Sequence, residues 1–255
     1  MIADGFYCMD CFDGMAQIDA KSIDMILCDL PYGTTQCSWD VVIPFESLWE
    51  EYKRIIKDNG SIVLFGMEPF SSYLRISNIE MYKYDWIWDK VKGTGFLNAK
   101  KQPMRNHEVI SVFYKKQCKY NPQMTENHTR KKSIKKRNPP KTEVYGEMNK
   151  VTYYDSTKRY PRSIQIFSAD TQTSSIHSTQ KPVALCEYLI KTYTDAGDVV
   201  LDNCAGSCST GIACHNTGRQ FIGFEKDKEI FEKGNKRLSD YKSQISLFDL
   251  GMERK

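Results

Sequence analysis

Val199-Val200-Leu201-Asp202-Asn203-Cys204-Ala205-Gly206-Ser207-Cys208-Ser209-Thr210-Gly211 is an apolar run that meets an acid and opens into a stretch of small residues. Residues 198–202 read as a strand, because two valines and a leucine in succession suit a strand covered on both faces. Small side chains beyond it let backbone approach a ligand closely, as nucleotide-binding loops of α/β folds do. Ser209 and Thr210 are both fit to cap the helix expected over 209–216, which Gly218 closes. A further strand at 220–224 ends in Ile222-Gly223-Phe224-Glu225, about 20 residues beyond the loop, where a ribose-binding acid stands in nucleotide folds. Strand, small loop, helix, strand and acid is the order of a site for a cofactor carrying adenosine. A purely structural βαβ unit has the same order.

Outward from this unit, apolar runs alternate with helical patterns, which predicts an α/β fold with a doubly wound, mostly parallel sheet. Ile23, Met25, Ile26, Leu27 and Cys28 make 22–30 a buried strand. Leu48, Tyr52, Ile55 and Ile56 recur at helical spacing over 44–57, with Gly60 as the stop. Residues 61–65, 86–88 and 109–114 read as strands and 68–79 as a helix. Trp86 and Trp88 both join the core if their strand is covered on both faces. Val183, Leu185, Cys186, Leu189 and Ile190 form the buried stripe of a helix with Pro182 at its first position, and 228–241 is a last amphipathic helix. Between 116 and 160 the periodicity fails, leaving a loop-rich insertion or a partly disordered arm. The expected organisation is one domain in two halves, 1–115 and 166–242, around an insertion at 116–165, with a tail at 243–255.

The 255 residues, 40% hydrophobic and 27% charged, suit one globular domain and exclude a disordered or membrane-spanning class. The first residues lack the basic and apolar regions of a secretory signal. Nine cysteines are read as reduced thiols of a cytoplasmic protein. Cys8 and Cys11 have the spacing of half a zinc site, but no second pair accompanies them, so no metal is expected. The net charge of +4 conceals an asymmetry. Residues 115–141 carry ten cations and one acid, Glu126, for a net +9 against −5 in the remainder. Such a segment is either a solvated linker or a surface for a polyanion, nucleic acid first. Its candidate contacts are Lys116, Lys119, Arg130, Lys131, Lys132, Lys135, Lys136 and Arg137, with Tyr145, Tyr153, Tyr154 and Tyr160 interleaved.

Two further motifs carry chemistry. Asp29-Leu30-Pro31-Tyr32-Gly33 follows the first apolar strand, and in a parallel sheet that end faces the ligand. An exocyclic amine is a poor nucleophile because its lone pair is delocalised into the ring. A carboxylate from Asp29 and a backbone carbonyl near Leu30 and Pro31, accepting its two N–H bonds, would favour the reactive geometry. Tyr32 offers a face on which a base can stack. An ordinary strand-to-loop turn is the alternative. His177-Ser178-Thr179-Gln180-Lys181-Pro182 precedes a helix start, where polar groups and Lys181 would suit a carboxylate, though a plain capped helix looks similar.

Together these motifs, with Arg105-Asn106-His107-Glu108, resemble the amino-methyltransferases of DNA over nearly the whole chain. The catalytic tetrapeptide precedes the cofactor loop, as in the β class found in phages and restriction–modification systems. The resemblance implies a Rossmann-like methyltransferase fold, S-adenosylmethionine as cofactor, and a target-recognition role for the insertion. It implies that Asp29 and Tyr32 bind a flipped base, that Thr179, Gln180 and Lys181 hold the methionine moiety, and that Glu225 binds the ribose. It places Asp10 near the adenine and Asp202, Asn203, Ala205, Gly206 and Ser207 around the cofactor. Leu30 replaces the usual first proline, a position that supplies mainly backbone. Cys208 stands where glycine is usual, and is strained if that residue needs positive φ.

Aspartate at 29 favours adenine N6 in that family; cytosine N4 is the alternative. A methylase of RNA or protein, or a non-catalytic DNA-binding protein with a degraded loop, are the competing readings. Gln244-Ile245-Ser246-Leu247-Phe248, beyond the last expected helix, resembles the peptide by which bacterial replication proteins dock in the sliding clamp, through Gln244, Leu247 and Phe248. Leu247 and Phe248 packing on their own domain explains the pattern equally. The oligomeric state is left open, a homodimer included. The expected location is the cytoplasm of a bacterial or phage-infected cell.

Overall fold

The computed structural model describes residues 4–33, 40–136, 151–168 and 180–252, without side chains at 135–136, 151–152 and 245–252. Two compact units emerge: residues 1–121 with 163–255, and Pro122–Arg162.

The larger unit is built on one eight-stranded sheet. In chain order its elements are β1 (Gly5–Cys8), α1 (Cys11–Met15), β2 (Ile23–Cys28), α2 (Phe45–Ile55), β3 (Ile56–Gly66), α3 (Phe70–Ser77), β4 (Tyr82–Thr94) and β5 (Arg105–Phe113). After the smaller unit, which holds β6 (Lys131–Lys136) and β7 (Val151–Ser156), come β8 (Ile164–Ile166), α4 (Val183–Tyr193), β9 (Val199–Asp202), α5 (Ser209–Thr217), β10 (Gln220–Glu225) and α6 (Lys228–Met252). The strand order is β1-β10-β9-β2-β3-β5-β4-β8. All neighbours are parallel except β5, which runs antiparallel to β3 and β4. Alternate residues feed two cores. Met25, Leu27, Val63 and Phe65 pack with α4 and α5 on one face, and Ile26, Cys28, Ile62 and Leu64 pack with α2 and α3 on the other. This is the doubly wound arrangement expected of strands that are apolar on both faces.

Several expectations are corrected. Gly60 does not stop a helix: α2 ends at Ile55, the chain turns extended at Ile56, and Gly60 lies inside β3. A Cβ there would meet the Asp24 carbonyl at 2.9 Å, so glycine serves the close approach of β2. Trp86 and Trp88, two residues apart, share one face and one core; cover on one side is enough. Within the basic segment β6 and β7 pair antiparallel, Lys132 opposite Asp155 and Ile134 opposite Tyr153. Lysine at four of six β6 positions hid that strand. Pro182 is the N-cap of α4 rather than its first residue. The last helix continues through Met252 instead of ending at Tyr241, so residues 244–252 of the expected tail are helical. Among the described residues no helix is long and apolar enough to cross a membrane.

Candidate active site

β9 lies between β10 and β2, with Gly223 beside Asp202 and Ile26 beside Leu201. Because these strands are parallel, their C-terminal ends meet at one edge of the sheet. Asp29 leaves β2 there, Asp202 ends β9 and Glu225 ends β10. A cavity of about 920 Å³ opens at that edge, and its walls include Asp29–Tyr32 on one side and Asp202–Ser207 with Glu225 on the other. Asp10, Gln180 and Lys181 line it as well.

Asp29 sits in a chain of charges. Lys181 Nζ donates to Asp29 Oδ2 and lies 3.3 Å from Glu108 Oε2, and Lys90 pairs with Glu108 Oε1. The Tyr32 hydroxyl donates to Asp29 Oδ1 at 2.5 Å, and its ring packs on Phe70 with centroids 4.9 Å apart. Two lysines thus balance two carboxylates in a water-poor setting, where unpaired charge is expensive. Burial pushes the Asp29 carboxyl up, against the pull of Lys181, and Glu108 adds to the rise. Burial would lift Glu108 too, but Lys181 and Lys90 outweigh it and hold that carboxyl below its ordinary value. Lys181 is raised: burial opposes its charge, and Asp29 and Glu108 overcome the penalty. Asp40, also buried, accepts the Gly33 amide at 2.8 Å and shapes the turn after the tetrapeptide.

On the cofactor side, Glu225 accepts the Gly206 amide at 3.0 Å through Oε2 and the Asp227 amide at 2.8 Å through Oε1. Each oxygen keeps a lone pair for another donor. Asp202 accepts the Thr210 hydroxyl at 2.7 Å and the Cys204 amide at 3.2 Å. Thr210 therefore braces Asp202 instead of capping α5. The N-cap is Cys208, at φ 61 and ψ 33 with no side-chain cap bond, so the residue in glycine's usual place does adopt the strained left-handed conformation. Ser209 is not the cap either: its hydroxyl accepts from Arg237 at 3.0 Å, and Arg237 also donates to the Ser207 carbonyl at 2.8 Å. Asn203 turns to the core, where Tyr52 donates to its Oδ1 at 2.5 Å. Ala205 donates its amide to the Phe224 carbonyl at 2.9 Å. Asp10 caps α1 by accepting the Phe12 amide at 2.9 Å and lies 3.2 Å from Lys226.

Lys181, expected beside a cofactor carboxylate, lines the cavity and is engaged by Asp29 and Glu108. Sequence reasoning gave Glu108 no role, although an acid in the Arg105–Glu108 run at the start of an apolar strand was a usable signal; Lys90 carried none. His177, Ser178 and Thr179 fall outside the described residues. Of the basic candidates, Lys116 pairs with Asp58 at 3.1 Å and Lys119 with Asp198 at 2.5 Å. In the smaller unit Arg130 pairs with Asp155 at 2.7 Å, and Lys131 and Lys132 are exposed. Arg137 and Tyr145 lie outside the described residues, as do the side chains of Lys135, Lys136, Leu247 and Phe248.

Residues 23–236 match the DNA methylase family. The chain is 29% identical over 276 residues to the Type II methyltransferase M.HinfI of Haemophilus influenzae, covering 94% of this chain and 70% of that one. It is 25% identical over 266 residues to the DNA adenine methyltransferase YhdJ of Escherichia coli K12, covering 96% and 86%. The crystal structure of the M1.HpyAVI–SAM complex superposes with a TM-score of 0.62 at 26% identity, covering 91% of this chain and 98% of that one.

The cavity fits that cofactor. Glu225 presents a carboxylate with acceptor capacity for ribose hydroxyls, and Gln180 lines the same cavity. The family match takes in both walls of the cavity, and the chain therefore belongs to the DNA methylase family, as an S-adenosylmethionine-dependent amino-methyltransferase of DNA.

Proposed function

We propose that the chain methylates N6 of an adenine that has been turned out of the DNA duplex, in the manner of a restriction–modification enzyme. The observation that carries this reading is one cavity holding Asp29, Pro31 and Tyr32 opposite Glu225 and its loop. Aspartate at position 29 and the adenine specificity named for YhdJ favour adenine over cytosine.

When bound, S-adenosylmethionine supplies a methyl group already activated by its sulfonium. The protein's part is positioning. The amine's two N–H bonds go to Asp29 and to a carbonyl near Leu30 and Pro31, which stabilises positive charge growing on nitrogen. Lys181 and Glu108 hold the Asp29 carboxylate in place. Burial makes that carboxylate a stronger base than an exposed aspartate, fit to take the proton that the amine sheds. Tyr32 supports the base by stacking. Glu225 and Asp10 hold the nucleoside end of the cofactor, with Asp202, Ala205, Gly206 and Ser207 forming its bed and Gln180 at its amino-acid end.

Exposed Lys131 and Lys132 of the β6–β7 hairpin, with Lys135, Lys136 and Arg137 beyond, contact DNA phosphates. Gln244, Leu247 and Phe248 suggest the bacterial sliding clamp as a second partner and the bacterial cytoplasm as the location; pull-down of clamp by wild type but not by Leu247→Ala/Phe248→Ala tests this. The reaction itself is tested by mass spectrometry of nucleosides from unmethylated DNA incubated with protein and S-adenosylmethionine. N6-methyladenine is expected. N4-methylcytosine would move the target base, and no methylated nucleoside on DNA of varied sequence would overturn the reading.

A further inference from the structure

β4 and β5 extend beyond the sheet as an arm. Every residue from 91 to 107 is exposed, and at the tip a short 3₁₀ turn, Phe96–Asn98, presents Phe96 at 78% and Leu97 at 98% exposure. Single exposed apolar residues are ordinary; here two adjacent ones stand on a turn that buries neither among the described residues. Around them stand Lys92, Lys100, Lys101 and Arg105, and no acid occurs from 90 to 107. Such a surface complements a polyanion with an apolar interior.

The arm is aimed and anchored. Its strands pair again at Thr94 and Arg105 after a register shift beyond Asp89, the device by which sheets redirect a strand. Val91, a β-branched residue, is held at φ 68 with its amide donated to Asp89 Oδ1 at 2.8 Å. A conformation that unfavourable persists only where the surroundings impose it. At the root, Lys90 and Thr94 line the catalytic cavity, and Lys90 joins Glu108 in the charge chain that ends on Asp29.

We propose that this arm is a DNA wedge: Phe96 and Leu97 enter the base stack beside the target, while Lys100 and Lys101 hold adjacent phosphates. The proposal rests on the reading of the cavity as a base-flipping site. A base turned into a pocket leaves a stacking gap, and apolar side chains that fill or pry open such a gap offset part of the unstacking cost. The arm stands where such a gap would form, because the pocket that receives the base opens at its root.

The test uses the full chain and a duplex carrying the site that wild type methylates. Phe96→Ala/Leu97→Ala should lower transfer to the paired duplex by about tenfold or more. On the same duplex with the target opposite an abasic position, where nothing need be unpaired, wild type and variant should agree within about threefold. S-adenosylmethionine binding by calorimetry should be unchanged. Undiminished transfer on the paired duplex overturns the wedge, as does an equal loss on both substrates. So does a variant whose main change is loss of self-association on size-exclusion chromatography, since the arm would then face a second copy. Should wild type methylate no DNA, the cavity reading fails, and the arm is judged by duplex affinity alone. Lys100→Ala/Lys101→Ala should then flatten the slope of log affinity against log salt by about 1.8, and an unchanged slope rejects the arm as a DNA contact.

Discussion

Asp29 owes its state to residues far away in sequence, and the consequences can be measured one side chain at a time. Asp29→Ala should abolish transfer while leaving S-adenosylmethionine affinity nearly intact, compared by single-turnover methylation and calorimetry. Glu108→Gln removes a negative charge that raises the Asp29 pKa. The acid limb of the rate–pH profile should therefore move to lower pH, with kcat reduced by about 10- to 100-fold; a profile that keeps its acid limb would leave Glu108 a purely structural part. Asp202 has the opposite interest. Burial pushes its carboxyl up to about 6 from an ordinary 3.8, against the Thr210 and Cys204 hydrogen bonds. The folded state then holds a proton that the unfolded chain releases between those values, so this contribution to stability is present at low pH and lost as pH rises through 6. Relative to Asp202→Asn, wild type should gain up to about 3 kcal/mol between pH 7 and pH 4 in urea unfolding. Cys208 sets strain against packing: its left-handed backbone costs about 1 kcal/mol, and its fully buried thiol returns a similar amount.

At the scale of elements, α6 governs the cofactor loop it never joins in sequence. Gly234 lets the helix lie against the loop, where a Cβ would come within 2.6 Å of the Gly206 carbonyl. Arg237, one turn on, ties down the Ser207 carbonyl. Gly234→Ala must push helix and loop apart. It should weaken S-adenosylmethionine binding by about tenfold and lower Tm, while Arg237→Lys, which keeps the charge but shifts the single nitrogen that serves both Ser207 and Ser209, should weaken binding less. Titration calorimetry separates the two; unaltered affinity in Gly234→Ala would show that the loop is shaped without α6. The same element shows a helical period that outlasts the helix expected from it. That expected helix ends at Tyr241, yet Ile245, Phe248 and Met252 continue the three- and four-residue spacing of Leu238 and Tyr241, and the backbone is helical to Met252.

For the whole molecule, charge decides how DNA is held. Lys116, Lys119 and Arg130 are spent on internal acids. Among the described residues, cations not paired with an acid include Lys131 and Lys132 in the smaller unit and Lys92, Lys100, Lys101 and Arg105 on the β4–β5 arm. With about five phosphates neutralised, affinity for duplex should fall by about 10²- to 10³-fold between 50 and 200 mM salt, read by fluorescence anisotropy. A nearly flat response would place binding on neutral contacts instead.

Much of this was legible in the chain itself. Apolar runs within 22–30, 61–65 and 198–202 read as buried strands because both their faces are hydrophobic. The tetrapeptide after β2 and the acid that ends β10 stand out by residue type and by position at strand ends. Those are local properties, set by side-chain size, backbone preference and period. What the tertiary structure alone decided is pairing. Placing β9 against β2 unites motifs some 170 residues apart in one cavity. The approach of β5 and of the segment before α4 puts Glu108 and Lys181 near Asp29, so the lysine expected beside a cofactor carboxylate also pairs with the Asp29 carboxylate. Charge and burial at that point are sums over neighbours from β4, β5 and the segment before α4, and no window of sequence contains them.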